Sequence, residues 1–148
     1  MQVKAHIDKI FKKMEIHVCN AEMTPTVDHL VEEIGKFVND TVVGTDGRGE
    51  KVVLSIGKMI RFYAENQKVF SKDEKGLYSI SKKLYELETD LDEKRFLRIS
   101  KSEIINLRKI ERLDMSITGT IKVVLTDGTE TFTSRRNVTK LKKSLGIV

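Results

Sequence analysis

Between residues 41 and 134, short apolar segments alternate with turn residues roughly every 8–12 positions, a rhythm that fits a mainly antiparallel β domain and leaves little room for long helices. The sharpest signal is Asp127-Gly128, which separates the runs 120–126 and 129–134 and supplies the positive φ that a tight hairpin turn needs. Thr41-Val42-Val43 leads into Asp46-Gly47-Arg48-Gly49, and Val52-Val53-Leu54-Ser55-Ile56 follows, a second hairpin with a glycine-rich turn. Further strands are expected at 59–64, 68–71, 76–80, 96–100, 104–107 and 110–115. One small helix interrupts them: Ser81 is placed to cap it, and Leu84, Leu87 and Leu91 form an apolar stripe. A short terminal helix runs from about Asn137 through Leu141 and Leu145 and stops at Gly146.

Ahead of residue 41 the pattern changes. Val3, Ala5 and Ile7 alternate with polar residues, as do Ile16 and Val18, which reads as two short strands that pair. Thr24-Pro25 then offers an N-cap and a proline at the first helical position, and Val27, Leu30, Val31, Ile34, Phe37 and Val38 recur on one helical face. Asp28, Glu32, Glu33 and Lys36 occupy the other, so the stripe must cover its own strands or a second molecule. The expected fold class is α+β. A ββα lobe over residues 1–40, serving dimerisation or regulation, precedes a mainly antiparallel β domain with a small internal helix over 41–148.

With 148 residues and 39% apolar content, the chain can bury one proper core and a small appended lobe. No apolar run approaches the ~20 residues that cross a bilayer and no secretory signal opens the sequence, so a cytoplasmic protein is expected. The single cysteine, Cys19, has no internal disulfide partner and reads as a small half-buried hydrophobe. Charge is unevenly placed. Residues 1–47 hold 5 Lys/Arg against 8 Asp/Glu, net −3, and from Lys94 to the end 13 face 5, net +8. A basic half beside an acidic appendage suits a polyanion-binding domain with a separate interaction lobe, although lysine-rich solubilising surfaces give the same balance.

Catalytic chemistry finds little support. Gly44-Thr45-Asp46-Gly47-Arg48-Gly49 lacks the G-K-[ST] ending of a phosphate-binding loop and no helix follows, so it is read as a turn. His29 beside Asp28 has no i, i+4 partner among the three histidines, and Asp90, Asp92 and Glu93 lack calcium-loop spacing. No enzyme, metal or cofactor is expected. Aromatic content of 6% without tryptophan argues against a stacking platform for single strands, and Phe62, Phe70, Phe96 and Phe132 are assigned to the core.

The informative residues are basic and polar ones at strand ends. Lys101 stands between Ser100 and Ser102 in a loop joining two apolar strands, where a long cation flanked by hydroxyls can meet phosphates and base edges. Ser134, Arg135, Arg136 and Asn137 follow the last hairpin, with Lys140, Lys142 and Lys143 behind them. Arginine's planar fork suits guanine O6 and N7, while lysine suits phosphate.

Arg95-Phe96-Leu97-Arg98-Ile99-Ser100-Lys101-Ser102-Glu103-Ile104-Ile105-Asn106-Leu107, followed about thirty residues on by Ser134-Arg135-Arg136-Asn137-Val138, resembles the signature of the LytTR family of bacterial DNA-binding domains. The resemblance extends over roughly 41–148. It implies a transcriptional regulator that contacts successive major grooves of double-stranded DNA, at promoter repeats, through loops at one edge of a β fold. Carried over by motif, the contacts are Lys101, Arg136 and, after Arg61-Phe62-Tyr63-Ala64-Glu65-Asn66, Lys68 or Gln67. Many family members have His or Asn/Arg in the loop where Ser100-Lys101 stand, so the base preferred there does not carry over. Asn106 also matches a family position, and its place within a strand assigns it to structure. Forty preceding residues leave no space for a receiver domain, so regulation by phosphorylation is not expected. The lobe is expected to form a homodimer or bind a regulator, such as the membrane proteins that restrain stand-alone relatives. The competing reading is a basic protein–protein interaction module that meets an acidic partner. An RNA-binding β domain is a third.

Overall fold

The computed structural model describes residue 5, residues 16–38 and residues 40–147 of the chain. Contacts divide the chain into two compact units, Met1–Gly35 and Lys36–Val148. In the first, the Oγ1 of Thr24 accepts the Val27 N–H at 3.3 Å and its carbonyl accepts the Asp28 N–H at 3.0 Å, capping α1 (Pro25–Val38) as the sequence implies. Val27, Leu30 and Ile34 are half-buried and Val31 is 49% exposed. The strand expected around Val3 and Ile7 lies outside the described residues, as do the side chains of Phe37 and Val38. The second expected strand is absent: residues 16–20 carry no regular structure, Ile16 is 55% exposed, and Cys19 is exposed, not half-buried. Two alternating apolar residues offer too little area to hold a strand in place.

The second unit is α+β and built on two antiparallel sheets. The larger sheet comprises β1 (Thr41–Thr45), β2 (Lys51–Ser55), β3 (Arg61–Glu65), β4 (Lys68–Lys72), β5 (Leu77–Ile80), β6 (Phe96–Ser100) and β7 (Glu103–Asn106), in the order β2-β1-β5-β4-β3-β7-β6. The smaller holds β8 (Ile110–Asp114), β9 (Lys122–Leu125) and β10 (Glu130–Phe132) in the order β10-β9-β8. α2 (Leu84–Asp90) and α3 (Val138–Ser144) complete the unit.

Turn chemistry set the hairpins. The Asp46 carboxylate accepts the N–H groups of Arg48 at 2.9 Å and Glu50 at 3.0 Å, and Gly49 takes φ +83°, so the glycine-rich segment is a turn between strands. Those bonds, led by that from Glu50, hold the Asp46 carboxyl below its usual range. Asp127 does the same for Thr129 at 3.0 Å, with Gly128 at φ +85°. α2 starts later than expected. Ser81 does not cap it; Lys83 precedes the first turn, and the Glu86 carboxylate reaches back to accept the Lys83 N–H at 3.1 Å.

Two apolar cores flank the larger sheet. Val42, Leu54, Met59, Phe62, Tyr78 and Ile80 pack with Leu84, Leu87 and Leu91 of the α2 region, while Ile60, Leu97, Ile99 and Ile105 pack with Ile121, Val123, Leu125 and Leu141. β7 contributes to both, Ile104 to one and Ile105 to the other, and is buried along its whole length. Phe62 and Phe96 are core, as expected, with rings 5.9 Å apart. Phe70 and Phe132 are not. In β4 it is Val69 that points into the core, which leaves Phe70 half-buried against Tyr63 on the outer face; Phe132 is 49% exposed at the end of edge strand β10.

Asn106, 1% exposed, is saturated. Its amide donates to Met59 O at 2.8 Å and Gly57 O at 3.2 Å, and its Oδ1 accepts the Arg108 N–H at 3.0 Å, which fixes it as a strut of the β7 end.

Candidate nucleic-acid interface

Three polar turns meet at one end of the larger sheet because backbone bonds place them side by side. The Ala64 N–H donates to Ser102 O at 2.8 Å, setting the β3–β4 turn beside the β6–β7 loop, and the Ser134 N–H donates to Ile99 O at 2.8 Å, setting the turn after β10 on the other side. Glu103 braces the group: it pairs with Arg61 at 2.9 Å and accepts the Thr131 hydroxyl, so the first residue of β7 holds both β3 and β10. The pairing of β6 with β7 shifts register between Arg98 and Ser100, an irregularity of the kind that re-aims a strand end.

Lys101, Ser100, Ser134, Arg136 and Asn137 line one cleft of about 420 Å3, together with Arg98 and Glu88. Lys101 and Arg136 are exposed, and among the described residues their side chains make no hydrogen bond or ion pair, whereas Arg48, Arg61, Arg95 and Arg98 are all engaged by carboxylates. Two uncommitted cations beside serine hydroxyls form a surface for an anion. Ser102 contributes through its backbone, its N–H meeting Ser100 Oγ at 3.3 Å. Asn137 donates its amide to Ser134 Oγ at 2.7 Å and so shapes the turn that carries Arg136. Arg135 turns elsewhere: its side chain lies against Gly119, outside the cleft.

The structure places Gln67 and Lys68 at the same end of the sheet, in a neighbouring groove of about 560 Å3 that also holds Lys82 and Lys83. Asn66 and Gln67, the two turn residues between β3 and β4, both have positive φ, 51° and 64°. The three lysines of α3 separate. Lys140 and Lys143 line a cleft with Glu88, Lys94 and Leu97, and Lys142 lies outside it. Sequence reasoning missed Arg98, Glu88, Lys82 and Lys83. An arginine inside the otherwise apolar run Phe96-Leu97-Arg98-Ile99 was the available signal for the first, and the Lys82-Lys83 pair before a helix for the last two. Among the described residues there is no cluster of metal-ligating side chains, and no helix is long and apolar enough to cross a membrane.

Comparison with known proteins identifies the family. The family model of the LytTr DNA-binding domain matches residues 49–146. Proteins of Staphylococcus aureus strains NCTC 8325 and COL, each named an uncharacterized HTH-type transcriptional regulator, are 34% identical over 128 residues, which covers 83% of this chain and 86% of theirs. Despite that name, among the described residues of this chain α1, α2 and α3 are separated from one another by strands. The solved LytTr DNA-binding domain of a putative methyl-accepting/DNA response regulator from Bacillus cereus shares the fold, with a TM-score of 0.69 at 20% identity over 73% of this chain and 98% of its own. With the match spanning nearly all of the β unit, the chain belongs to the LytTR family of DNA-binding domains.

Proposed function

We propose that this protein is a cytoplasmic, sequence-specific transcriptional regulator that reads the major groove of double-stranded DNA with loops of its β unit. The observation that carries the reading is the single cleft shared by Lys101 and Arg136, residues 35 positions apart in sequence whose charges no carboxylate pairs with among the described residues. Arg136 suits bidentate contact with a guanine edge, and Lys101 suits a phosphate or a base acceptor. Gln67 or Lys68 extends the edge on one side, and Lys140 and Lys143 on the other. The role is one of binding, not catalysis. Residues 1–40 serve self-association into a homodimer that engages paired promoter repeats, or docking of a regulator such as a membrane protein, and α1 supports this with an apolar stripe whose described members, Val27, Leu30, Val31 and Ile34, are none of them fully buried.

In vitro selection from a random duplex library tests the proposal. The protein should retain a recurring sequence against excess competitor DNA, and Lys101→Ala or Arg136→Ala should each weaken that binding by ~1–3 kcal/mol at fixed salt while leaving the fold intact. Retention without any sequence preference, or operator affinity unchanged in both variants, contradicts it; capture of acidic proteins with no preference for duplex DNA would favour the interaction-module reading instead.

A further inference from the structure

We infer that Arg98 is the positioning residue of the reading edge, holding the 100–102 loop in shape through its own carbonyls and being held in turn by Glu88 of α2. This rests on the DNA-reading role proposed above. The guanidinium uses three separate N–H groups: Nε donates to Ser100 O at 3.0 Å, Nη2 to Lys101 O at 2.5 Å, and Nη1 to the Glu88 carboxylate at 2.8 Å. It sits mid-strand in β6, where the register shift begins, and only 22% of its side chain is exposed.

Two consequences follow from the chemistry. A carbonyl oxygen turned toward a phosphate would repel it; the guanidinium takes up two carbonyl oxygens of this loop and ties the backbone of Lys101 to β6 while its side chain remains exposed. Glu88 has a less obvious part. A carboxylate beside a DNA-binding cleft repels the ligand, yet here it fixes the plane of the guanidinium, and α2 is itself anchored through buried Leu84 and Leu87. The loop is thereby referenced to the apolar core. Lysine retains the charge at position 98 but not the rigid fork that spans two successive carbonyls.

The test compares the wild-type protein with Arg98→Lys and Glu88→Gln on two probes, the duplex recovered by selection on the wild type and a scrambled duplex of equal length. Arg98→Lys should lower the ratio of the two affinities about tenfold, with the salt slope unchanged because no charge is lost. Glu88→Gln should lower the same ratio about threefold, although it removes a negative charge from the DNA side. Hydrogen exchange read without DNA should quicken at residues 100–102 in both variants, with β7 amides unaffected. Were Arg98 a plain phosphate contact, Glu88→Gln would instead strengthen binding to both duplexes equally; that result, or an unchanged ratio in Arg98→Lys, overturns the inference. Should Arg98→Lys unfold, Glu88→Gln decides alone. A wild-type protein that selects no sequence refutes the DNA-reading role, and the exchange measurement still judges the clamp separately.

Discussion

The β3–β4 turn stores strain at the edge assigned to DNA, and removing it has a calculable effect. Glu65 pairs with Lys68, leaving Asn66 and Gln67 as a two-residue turn with φ of 51° and 64°. Such turns favour Asn-Gly, so Asn66 is well suited and Gln67 is not. A side chain in the left-handed region costs ~1–2 kcal/mol, and glycine returns ~0.5–1 kcal/mol of that through its freer unfolded chain. Gln67→Gly should therefore stabilise the protein by roughly 0.5–1 kcal/mol. For a unit of this size the melting temperature should rise by about 2–5 °C. Urea unfolding with an unchanged slope and a higher midpoint is the direct measurement. If the Gln67 amide reaches a base edge, as glutamine does with adenine, the same variant should bind the selected duplex more weakly, a strained residue kept for function. A variant that is no more stable than wild type refutes the strain argument, and one that is more stable with undiminished DNA affinity removes Gln67 from the interface.

Three further outcomes are expected. Neutralising Lys140 and Lys143 should weaken selected and scrambled duplexes alike and flatten the log-affinity slope against log-salt by about one unit per lost contact, with Lys142→Gln mattering least; changed base preference at the original slope would contradict this. Leu30→Glu should yield monomers whose 36–148 unit still folds and binds single sites but loses tight occupancy of paired repeats, and an unmutated protein found monomeric by sedimentation well above its DNA Kd rules the dimer out. Burial pushes the Asp127 carboxyl up, but the hydrogen bonds from Lys72, at 2.8 Å, and Thr129 outweigh it and hold the group below its ordinary 3.8. A lowered folded pKa means stability that is present above pH 3.8 and lost as pH falls through the folded value, so the advantage of wild type over Asp127→Asn in urea midpoint should be constant near neutrality and shrink below that pH; an advantage that grows in acid reverses the sign.

The sequence was most legible where one residue type has one structural use. Asp127-Gly128 and Asp46 through Gly49 marked their hairpins because aspartate bonds to the backbone just ahead and glycine accepts positive φ. Thr24-Pro25 marked the start of α1 for the same kind of reason. Legibility failed where partners decide. Val69-Phe70 presents two apolar neighbours, and only pairing with β3 and β5 settles which one faces the core. Nothing in Thr131-Phe132-Thr133 reveals that β10 is an edge strand and leaves its phenylalanine in solvent. Glu65-Asn66-Gln67-Lys68 contains no glycine, so its turn type was hidden. At the proposed interface, the motif pointed to Lys101 and Arg136, which share a cleft, but the contact joining Arg98 to Glu88 links residues ten positions apart on a strand and a helix, and neither local pattern refers to the other.

That clamp bears on how the β edge would serve the DNA reading proposed for it. Isolated flexible loops would each give up about 1–2 kcal/mol per residue on becoming ordered against DNA. Here the turn residues are few and tied in advance: Ala64 to Ser102, Ile99 to Ser134, Glu103 to Thr131 and Arg98 to the loop carbonyls. Their spacing is set by neighbouring strands about 4.8 Å apart, not by the DNA. A preorganised surface spends less of its contact energy on ordering itself, so more appears as discrimination between sequences. The steering charge is separate, carried by lysines outside the cleft such as Lys83 and Lys140. Loosening the ties should therefore speed dissociation from the selected duplex while leaving the association rate unchanged, and removing the outer lysines should slow association at low salt. A tie-breaking variant such as Arg98→Lys that slowed association without changing dissociation would show that the edge orders only upon contact.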